Sequence, residues 1–455
     1  MASIKRPKAI VPEDPFLHAL AAKISEWPRE HDEIARFAVA FSGGLDSAVL
    51  LTALCRLGMR DSMRALHVDH GLHPESARWE GHCRKVAQES AVRYQSLAVE
   101  VDVKSGLGLE AAARNARYRA LAQALTPGEI LLTAHHADDQ LETVLLRLLR
   151  GSGVRGLRGI IEFARLGPGY LGRPLLGFAK TQLQTQAQRW QLRWLDDPAN
   201  TNLAHDRNFL RRAVVPTLAQ RWPAAPRMAQ RLTQQMADAD ELLESMAAHD
   251  ARNVRFPERL PRAQLTPLVP SRQRNLLRYL IRRAGLSTPS AAQLEGLRAS
   301  LLTSRPDAQT QIRWPGGEGR IYRECLYLLK PLPAGSVHGY RTELRVQGWS
   351  GPEGRISFEP VDGPGLPQSW LEAGVSLGFR AGGERFQPQG RAHSWSLKHW
   401  LQHEGVLPWM RGRIPLLFRG DRLVAVADLA VDDTVRTAPA EPRWRVSWTE
   451  HPPVR

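Results

Sequence analysis

An apolar run, residues 37–41, leads straight into Ser42-Gly43-Gly44-Leu45-Asp46-Ser47, and Ala48-Val49-Leu50-Leu51 follows. β-type residues before the two glycines and good helix formers after them predict a strand, a tight loop and a helix. No other stretch limits the fold so narrowly, and it limits the chemistry as well. Gly43 and Gly44 carry no Cβ that would hold a ligand away from the backbone. The first N–H groups of the new helix and its positive end, about half a charge, then face an anion. Ser42 and Ser47 add hydroxyls, and Asp46 is a hard oxygen ligand suited to Mg2+. An ordinary strand-to-helix turn with Ser47 as N-cap would account for two glycines, but the whole Ser-Gly-Gly-x-Asp-Ser string points to phosphate. Because no Gly-Lys-Ser/Thr ending is present, the loop is not of the Walker type.

The same alternation continues. Strands are predicted at 37–41, 63–68, about 93–99 and 130–134, and helices at 47–57, 75–90 and 109–125. This is the βαβ pattern of an α/β protein with a doubly wound parallel sheet, whose ligands sit at the C-terminal ends of the strands. It stops near Trp222-Pro223-Ala224-Ala225-Pro226. Helical spacing of Met228, Leu232, Met236, Leu242, Leu243 and Met246, and later of Leu276, Leu277, Leu280, Ile281, Leu294, Leu297 and Leu301, predicts a small helical domain with the methionines as core filler. Residues 309–329, broken at Pro315-Gly316-Gly317, read as a hairpin closing it. The expected organisation is therefore a catalytic domain over 1–226, a mainly helical domain over 227–330, a linker with a short strand over 331–354, and a compact α+β domain over 355–455.

Further motifs cluster at strand ends. His67-Val68-Asp69-His70-Gly71-Leu72 closes the second strand beside the glycine loop, so Asp69 and His70 are candidate pocket residues. Arg114 and Arg117 share one face of a helical stretch, where guanidinium forks suit phosphate oxygens; a Glu110–Arg114 surface pair is the plain alternative. In Thr133-Ala134-His135-His136-Ala137-Asp138-Asp139-Gln140-Leu141-Glu142 a helix start puts Asp139 and Glu142 on one face. They can bind Mg2+ or grip a cationic amine, and a capping box can coexist with either role. Gly151-Ser152-Gly153 is either a helix stop or a mobile loop over substrate. The loop Asp196-Asp197-Pro198-Ala199-Asn200 enters a basic helix with Arg207, Asn208 and Arg211. With Trp190 and Trp194 upstream, that helix fits a stacked base.

Charge bears on the partner. The 455 residues hold 62 Lys and Arg against 46 Asp and Glu, a net +16, which favours a polyanion. Arg385, Lys398-His399-Trp400 and Trp409-Met410-Arg411 concentrate bases and aromatics in the last domain, as an RNA-backbone surface would. The three cysteines, Cys55, Cys83 and Cys325, form no paired motif, so neither zinc nor a disulfide framework is suggested and a reducing cytoplasm is the expected home. No signal-peptide core occurs in residues 1–15, and no run approaches the ~18 apolar residues of a membrane span.

The loop resembles the pyrophosphate loop of the ATP-pyrophosphatase superfamily. Together, residues 42–47, 67–72, 110–118, 134–143, Arg150-Gly151-Ser152-Gly153, the stretch from Asp197-Pro198 to Arg211 and the block 398–417 resemble the bacterial tRNA(Ile)-lysidine synthetase family, in order and over nearly the whole chain. The resemblance implies an adenine nucleotide α-hydrolase-like core. It implies ATP with Mg2+, free L-lysine and an isoleucine tRNA with a CAU anticodon as partners, with adenylation of the wobble cytidine followed by displacement of AMP. By motif, Ser42, Gly43, Gly44, Leu45, Asp46, Ser47, Asp69, His70 and His135 would meet ATP, and Asp46 and Asp139 the metal. Asp139 with Glu142 would position lysine or metal, and Arg114 or Arg117 the phosphate or adenylate. Arg207, Asn208, Arg211, Arg385, Lys398 and Arg411 would meet tRNA. Monomer and homodimer both stay open. A thiolase of the same superfamily would want paired cysteines, and a small-molecule amidating synthetase would need no basic tail.

Overall fold

The computed structural model describes residues 14–71, 75–102, 108–195, 205–305, 309–333, 340–344, 347–363, 365–437 and 441–454. They form two compact units that divide at Leu242/Leu243.

The first unit opens with α1 (Pro15–Glu30). Asp14 accepts the Phe16 N–H at 2.9 Å and Pro15 occupies the first turn, a favourable start for a helix. Phe16, Leu20, Ile24 and Trp27 lie on its buried stripe. Next come β1 (Arg36–Ala40), α2 (Leu45–Arg56), β2 (Met63–Asp69), α3 (Ser76–Glu89), β3 (Arg93–Ala98), α4 (Leu109–Ala124), β4 (Glu129–Leu132) and α5 (Ala137–Leu149). β1 pairs in parallel with β2 on one side and β4 on the other, and β2 pairs with β3. Helices cover both faces, so β1 and β4 are almost wholly apolar rather than alternating.

After the one-turn α6 (Val154–Leu157), β5 (Phe163–Leu166) and β6 (Gly169–Gly172) form a hairpin about Gly167-Pro168. β6 pairs in parallel with β4, giving the strand order β3-β2-β1-β4-β6-β5. The sequence pattern does not predict this hairpin, whose four-residue strands are interrupted by Arg165 and by Gly169 and Gly172. The chain winds outward from β1 in both directions, so the topological switch point lies between β1 and β4. A crevice forms there, at the strands' C-terminal ends.

The unit continues through α7 (Lys180–Arg189), α8 (Asp206–Phe209), a π-helical turn at Leu210–Val214, α9 (Val215–Arg221) and α10 (Ala225–Asp250), whose residues from Leu243 on belong to the second unit. The apolar stripe expected to be core on α10 is largely uncovered. Leu242 is 72% exposed, and Leu243, Met228 and Met246 are exposed too. Helical spacing identifies a stripe but not whether another element lies over it.

In the second unit β7 (Arg259–Pro261) leads through α11 (Arg262–Leu265), α12 (Pro270–Arg283) and α13 (Ala291–Thr303) to β8 (Thr310–Trp314), β9 (Gly317–Tyr322) and β10 (Cys325–Leu329). The expected hairpin is thus part of a four-stranded antiparallel sheet, β7-β10-β9-β8, against which Leu277, Leu280, Leu297 and Leu301 pack. The stretch read as a linker supplies β11 (Arg341–Leu344) and β12 (Trp349–Gly351). Beyond it, two larger antiparallel sheets and a ribbon of two-residue strands, Arg385–Phe386 and Trp395–Ser396, surround an apolar core. No helix among the described residues is long and apolar enough to cross a membrane.

Candidate active site

The loop between β1 and α2 stands at the switch point. Gly43 has φ +78°, and a Cβ there would lie 2.8 Å from Cys83 Sγ of α3, so both backbone shape and close packing call for glycine. Gly44 is the N-cap of α2 and no side chain caps the helix, which leaves its first-turn N–H groups facing the crevice. Ser42 Oγ and Ser47 Oγ lie 3.2 Å apart, and Ser47 Oγ donates to the Gly44 carbonyl at 2.9 Å. From the other side, the Leu195 N–H donates to the Gly43 carbonyl at 3.0 Å and braces the loop. Trp190 lies in the apolar packing beneath, edge-on to Phe16 and under Arg56, not at a base-stacking surface; Trp194 packs against the same core.

Across the crevice, α5 begins with His136 as N-cap and the Asp139 carboxylate accepts the His136 N–H at 3.1 Å. The capping role and the acidic cluster therefore coincide. His136, 1% exposed, sits among Asp46 (3.6 Å), Asp138 (3.6 Å) and Asp139 (3.5 Å). Burial opposes charge on its ring, but the three carboxylates outweigh it and lift the pKa to about 9. His136 thus joins the loop's Asp46 to the Asp139 of α5, a role the motif alone did not reveal. His135 differs from its neighbour. Its Nδ1 lies 2.9 Å from Thr133 Oγ1, and burial keeps the ring neutral against the pull of Asp139.

Asp139 and Glu142 share their partners. Asp139 Oδ1 accepts from Arg207 Nη2 at 3.2 Å and Arg211 Nη2 at 2.7 Å. Glu142 Oε1 accepts from Arg211 Nε at 2.6 Å, and Oε2 accepts from Arg207 Nε and Arg211 Nη2, each at 2.9 Å. Burial alone would raise the Asp139 pKa, but the charges of His136, Arg207 and Arg211 hold it below the usual range. The two arginines expected at tRNA thus meet the two carboxylates expected at lysine or metal. Spacing of four residues across α8 and the π-helical turn aims both guanidiniums at one corner.

Next to this corner lies a cavity of about 910 Å³ whose walls include Arg114, Arg147, Arg150, Arg155, Arg158, Arg173 and Arg207, with Asp206 as the one acidic residue among the described residues of its lining. Arg114 also stands over the Tyr118 ring at 5.1 Å. Buried Arg173 was not singled out by its motif; it donates to the Ile161 carbonyl while its Nε has no hydrogen-bond partner among the described residues. Arg117 lies over the Tyr118 ring as well, at 5.7 Å, and its charge, after burial, helps keep His70 neutral. Asp69 accepts the Gly71 N–H at 2.9 Å.

The glycine loop after α5 behaves as a helix stop. Gly151, at φ +70°, donates to the Leu148 carbonyl, and the residues beyond are pinned by Arg147 to the carbonyls of Gly156 and Gly159. The expectations at Asp196-Asp197-Pro198-Ala199-Asn200, Leu72 and the Glu110 side chain lie outside the described residues. Asn208 is half-buried on α8. In the second unit Arg385 and Lys398 are exposed on neighbouring elements. Arg411 is turned inward instead, donating to the Val406 carbonyl at 2.9 Å and to Tyr322 Oη at 3.2 Å.

For a divalent cation, the oxygen that fits is Asp46 Oδ1, which is buried and accepts no hydrogen bond among the described residues. Mg2+ takes one or two carboxylates and completes its shell with water and phosphate oxygens. Asp139 is already engaged by two guanidiniums and the His136 N–H. Among the described residues no group of three His, Cys, Asp or Glu forms a cage from protein ligands alone.

A glycine loop without the Walker lysine, at the switch point of a doubly wound sheet and facing an acidic helix start, defines the PP-loop class; a PP-loop domain matches residues 17–218. A TilS substrate binding domain matches 260–327 and a TilS substrate C-terminal domain matches 375–448. The tRNA(Ile)-lysidine synthase of Alkalilimnicola ehrlichii is 42% identical over 92% of this chain and 94% of its own length. Those of Coxiella burnetii (36%; 90% and 93%) and Xanthomonas campestris pv. campestris (40%; 90% and 94%) are similar in the same way. The chain belongs to the tRNA(Ile)-lysidine synthase family.

Proposed function

We propose that the protein joins free lysine to the wobble cytidine of an isoleucine tRNA with a CAU anticodon, through an adenylated cytidine, giving lysidine, AMP and pyrophosphate. One observation carries this reading: the PP-loop, substrate-binding and C-terminal matches follow in order on one chain. In the first step the cytosine carbonyl oxygen attacks the α-phosphorus of ATP, and the bond to the β-phosphate oxygen breaks. In the second, the neutral ε-amine of lysine attacks the ring carbon, the bond to the AMP oxygen breaks, and the nitrogen loses a proton. Adenylation makes a poor leaving group a good one, so the nucleophile needs placement and a free lone pair. The modified base pairs with A, and the tRNA reads AUA as isoleucine.

The residues divide the work by chemistry. Gly43, Gly44 and the first N–H groups of α2 receive phosphate, while Arg114 stands on the side of the adenylate. Mg2+ held by Asp46 would supply positive charge against the leaving pyrophosphate. Asp139 and Glu142 receive the charged end of lysine, so Arg207 and Arg211 must share or release those oxygens when it arrives. The +16 charge and the exposed Arg385 and Lys398 suit the tRNA body.

Purified protein incubated with ATP, Mg2+, labelled lysine and unmodified CAU-anticodon isoleucine tRNA, with elongator methionine tRNA as control, is expected to yield lysidine only in the isoleucine tRNA by nucleoside mass spectrometry. Asp139→Ala is expected to stop modification while tRNA binding persists. Pyrophosphate release without lysine incorporation would refute the second substrate.

A further inference from the structure

The polar ties around α5 converge on the turn that carries its carboxylates. Gln140, between Asp139 and Glu142, is 3% exposed and fully engaged. Its Nε2 donates to the Ile160 carbonyl at 3.1 Å and to Thr233 Oγ1 of α10 at 3.3 Å, and its Oε1 accepts the Ile160 N–H at 2.6 Å. Thr233 Oγ1 in turn donates to the Gln230 carbonyl at 2.8 Å. About two turns further along α10, buried Asp240 accepts from Arg158 Nη1 at 2.7 Å and Arg155 Nη1 at 3.2 Å. The segment 153–160 is therefore held by α5 at one side, through Gln140 and Arg147, and by α10 at the other, through Asp240, while Gln140 also ties α5 directly to Thr233 of α10. Gly159, at φ +64°, closes the knot so tightly that a Cβ would collide with the Gln140 amide and the Thr233 methyl.

Apolar contact already joins these helices: Leu141 and Val144 of α5 pack with Ala229 of α10. Such contact is non-directional and tolerates rotation of one helix on the other. A buried amide with all its bonds made specifies one orientation. The orientation matters because carboxylate heads lie about 6 Å from a helix axis, so a turn of roughly 10° moves them about 1 Å. A displacement of that size near the chemistry is worth about a hundredfold in rate.

We propose that Gln140 and Asp240 are positioning residues, which lock α5 to α10 through the 153–160 segment and so set where Asp139 and Glu142 stand. The proposal rests on the reading that those two carboxylates serve the reaction. Gln140→Leu keeps most of the bulk and removes all three hydrogen bonds, and Asp240→Asn keeps the shape and removes the charge.

In the full-length protein both variants are expected to speed amide exchange in α5 at least tenfold while β1 and β4 exchange as in wild type. For lysidine formation kcat should fall roughly tenfold to a hundredfold, with KM for ATP within about threefold. Asp240→Glu should recover most of it. Unchanged α5 exchange would overturn the proposal, as would a uniform rise across the whole unit, which marks a merely structural role, or faster exchange with undiminished kcat. If the wild type forms no lysidine, it is the functional reading that fails, and the exchange pattern alone decides whether α5 is locked this way.

Discussion

The glycine loop and the acidic corner face each other across one crevice, yet they are built in opposite ways. The loop comes from six consecutive residues and offers backbone N–H groups that no side chain caps. The corner draws Asp139 and Glu142 from α5 and their partners Arg207 and Arg211 from more than sixty residues later, and it is saturated with ion pairs. A neutral backbone cradle can wait empty because its donors stay hydrated. A pair of buried carboxylates cannot, since unpaired charge away from water is costly, so the fold supplies cations of its own. His136 bears on both, through Asp46 and Asp139.

The contrast can be broken by substitution. The largest effect is expected at Asp46→Asn, which removes the loop's sole carboxylate; lysidine formation should fall about a thousandfold, near 4 kcal/mol, while tRNA affinity measured by filter binding is unchanged. On the other side of the crevice, Arg211→Gln removes a counter-charge from Glu142, which is 1% exposed, and should cost roughly 3 kcal/mol of stability in urea unfolding. A loss below ~1 kcal/mol would mean that Arg207 alone suffices and that the corner is less saturated than its distances imply.

His136 sharpens the comparison by pH. Its folded pKa, about 9, lies above the ordinary histidine value, so its stabilisation is complete below about pH 6.5 and disappears as pH rises through 9. The Tm advantage of wild type over His136→Gln, worth up to about 3 kcal/mol, should therefore shrink between pH 7 and 10; a flat difference would show that the ring is held neutral. Smallest is Gly43→Ala, expected to cost about 2 kcal/mol through its positive φ and the clash with Cys83. Adding Cys83→Ala should relieve the steric part only, and full recovery would mean that φ carries no strain.

Much of the first unit was legible because its signals are local. The strand–glycine–helix junction, the apolar β1 and β4 and the Asp-Asp start of α5 all appear in the structure within a residue or two of where the sequence places them. The hairpin of β5 and β6 was missed because Arg165 and the flanking glycines Gly169 and Gly172 break its four-residue strands, whereas β4, equally short, ends in the unbroken apolar run Ile130-Leu131-Leu132. Met228 and Met246 looked like core because spacing cannot report what lies over a helix, and Arg411 looked like an RNA contact because a basic residue beside an aromatic reads the same whether it faces solvent or Tyr322.

The sequence by itself determined that this chain has a PP-loop, a parallel α/β sheet and a net charge of +16, since these follow from residue type and short-range spacing. Only the tertiary structure decided that His136 sits between Asp46 and Asp139, that Arg207 and Arg211 close on Glu142, and that Gln140 reaches α10. Such pairings join residues far apart in the chain, and their geometry is set by helix packing that no local pattern encodes.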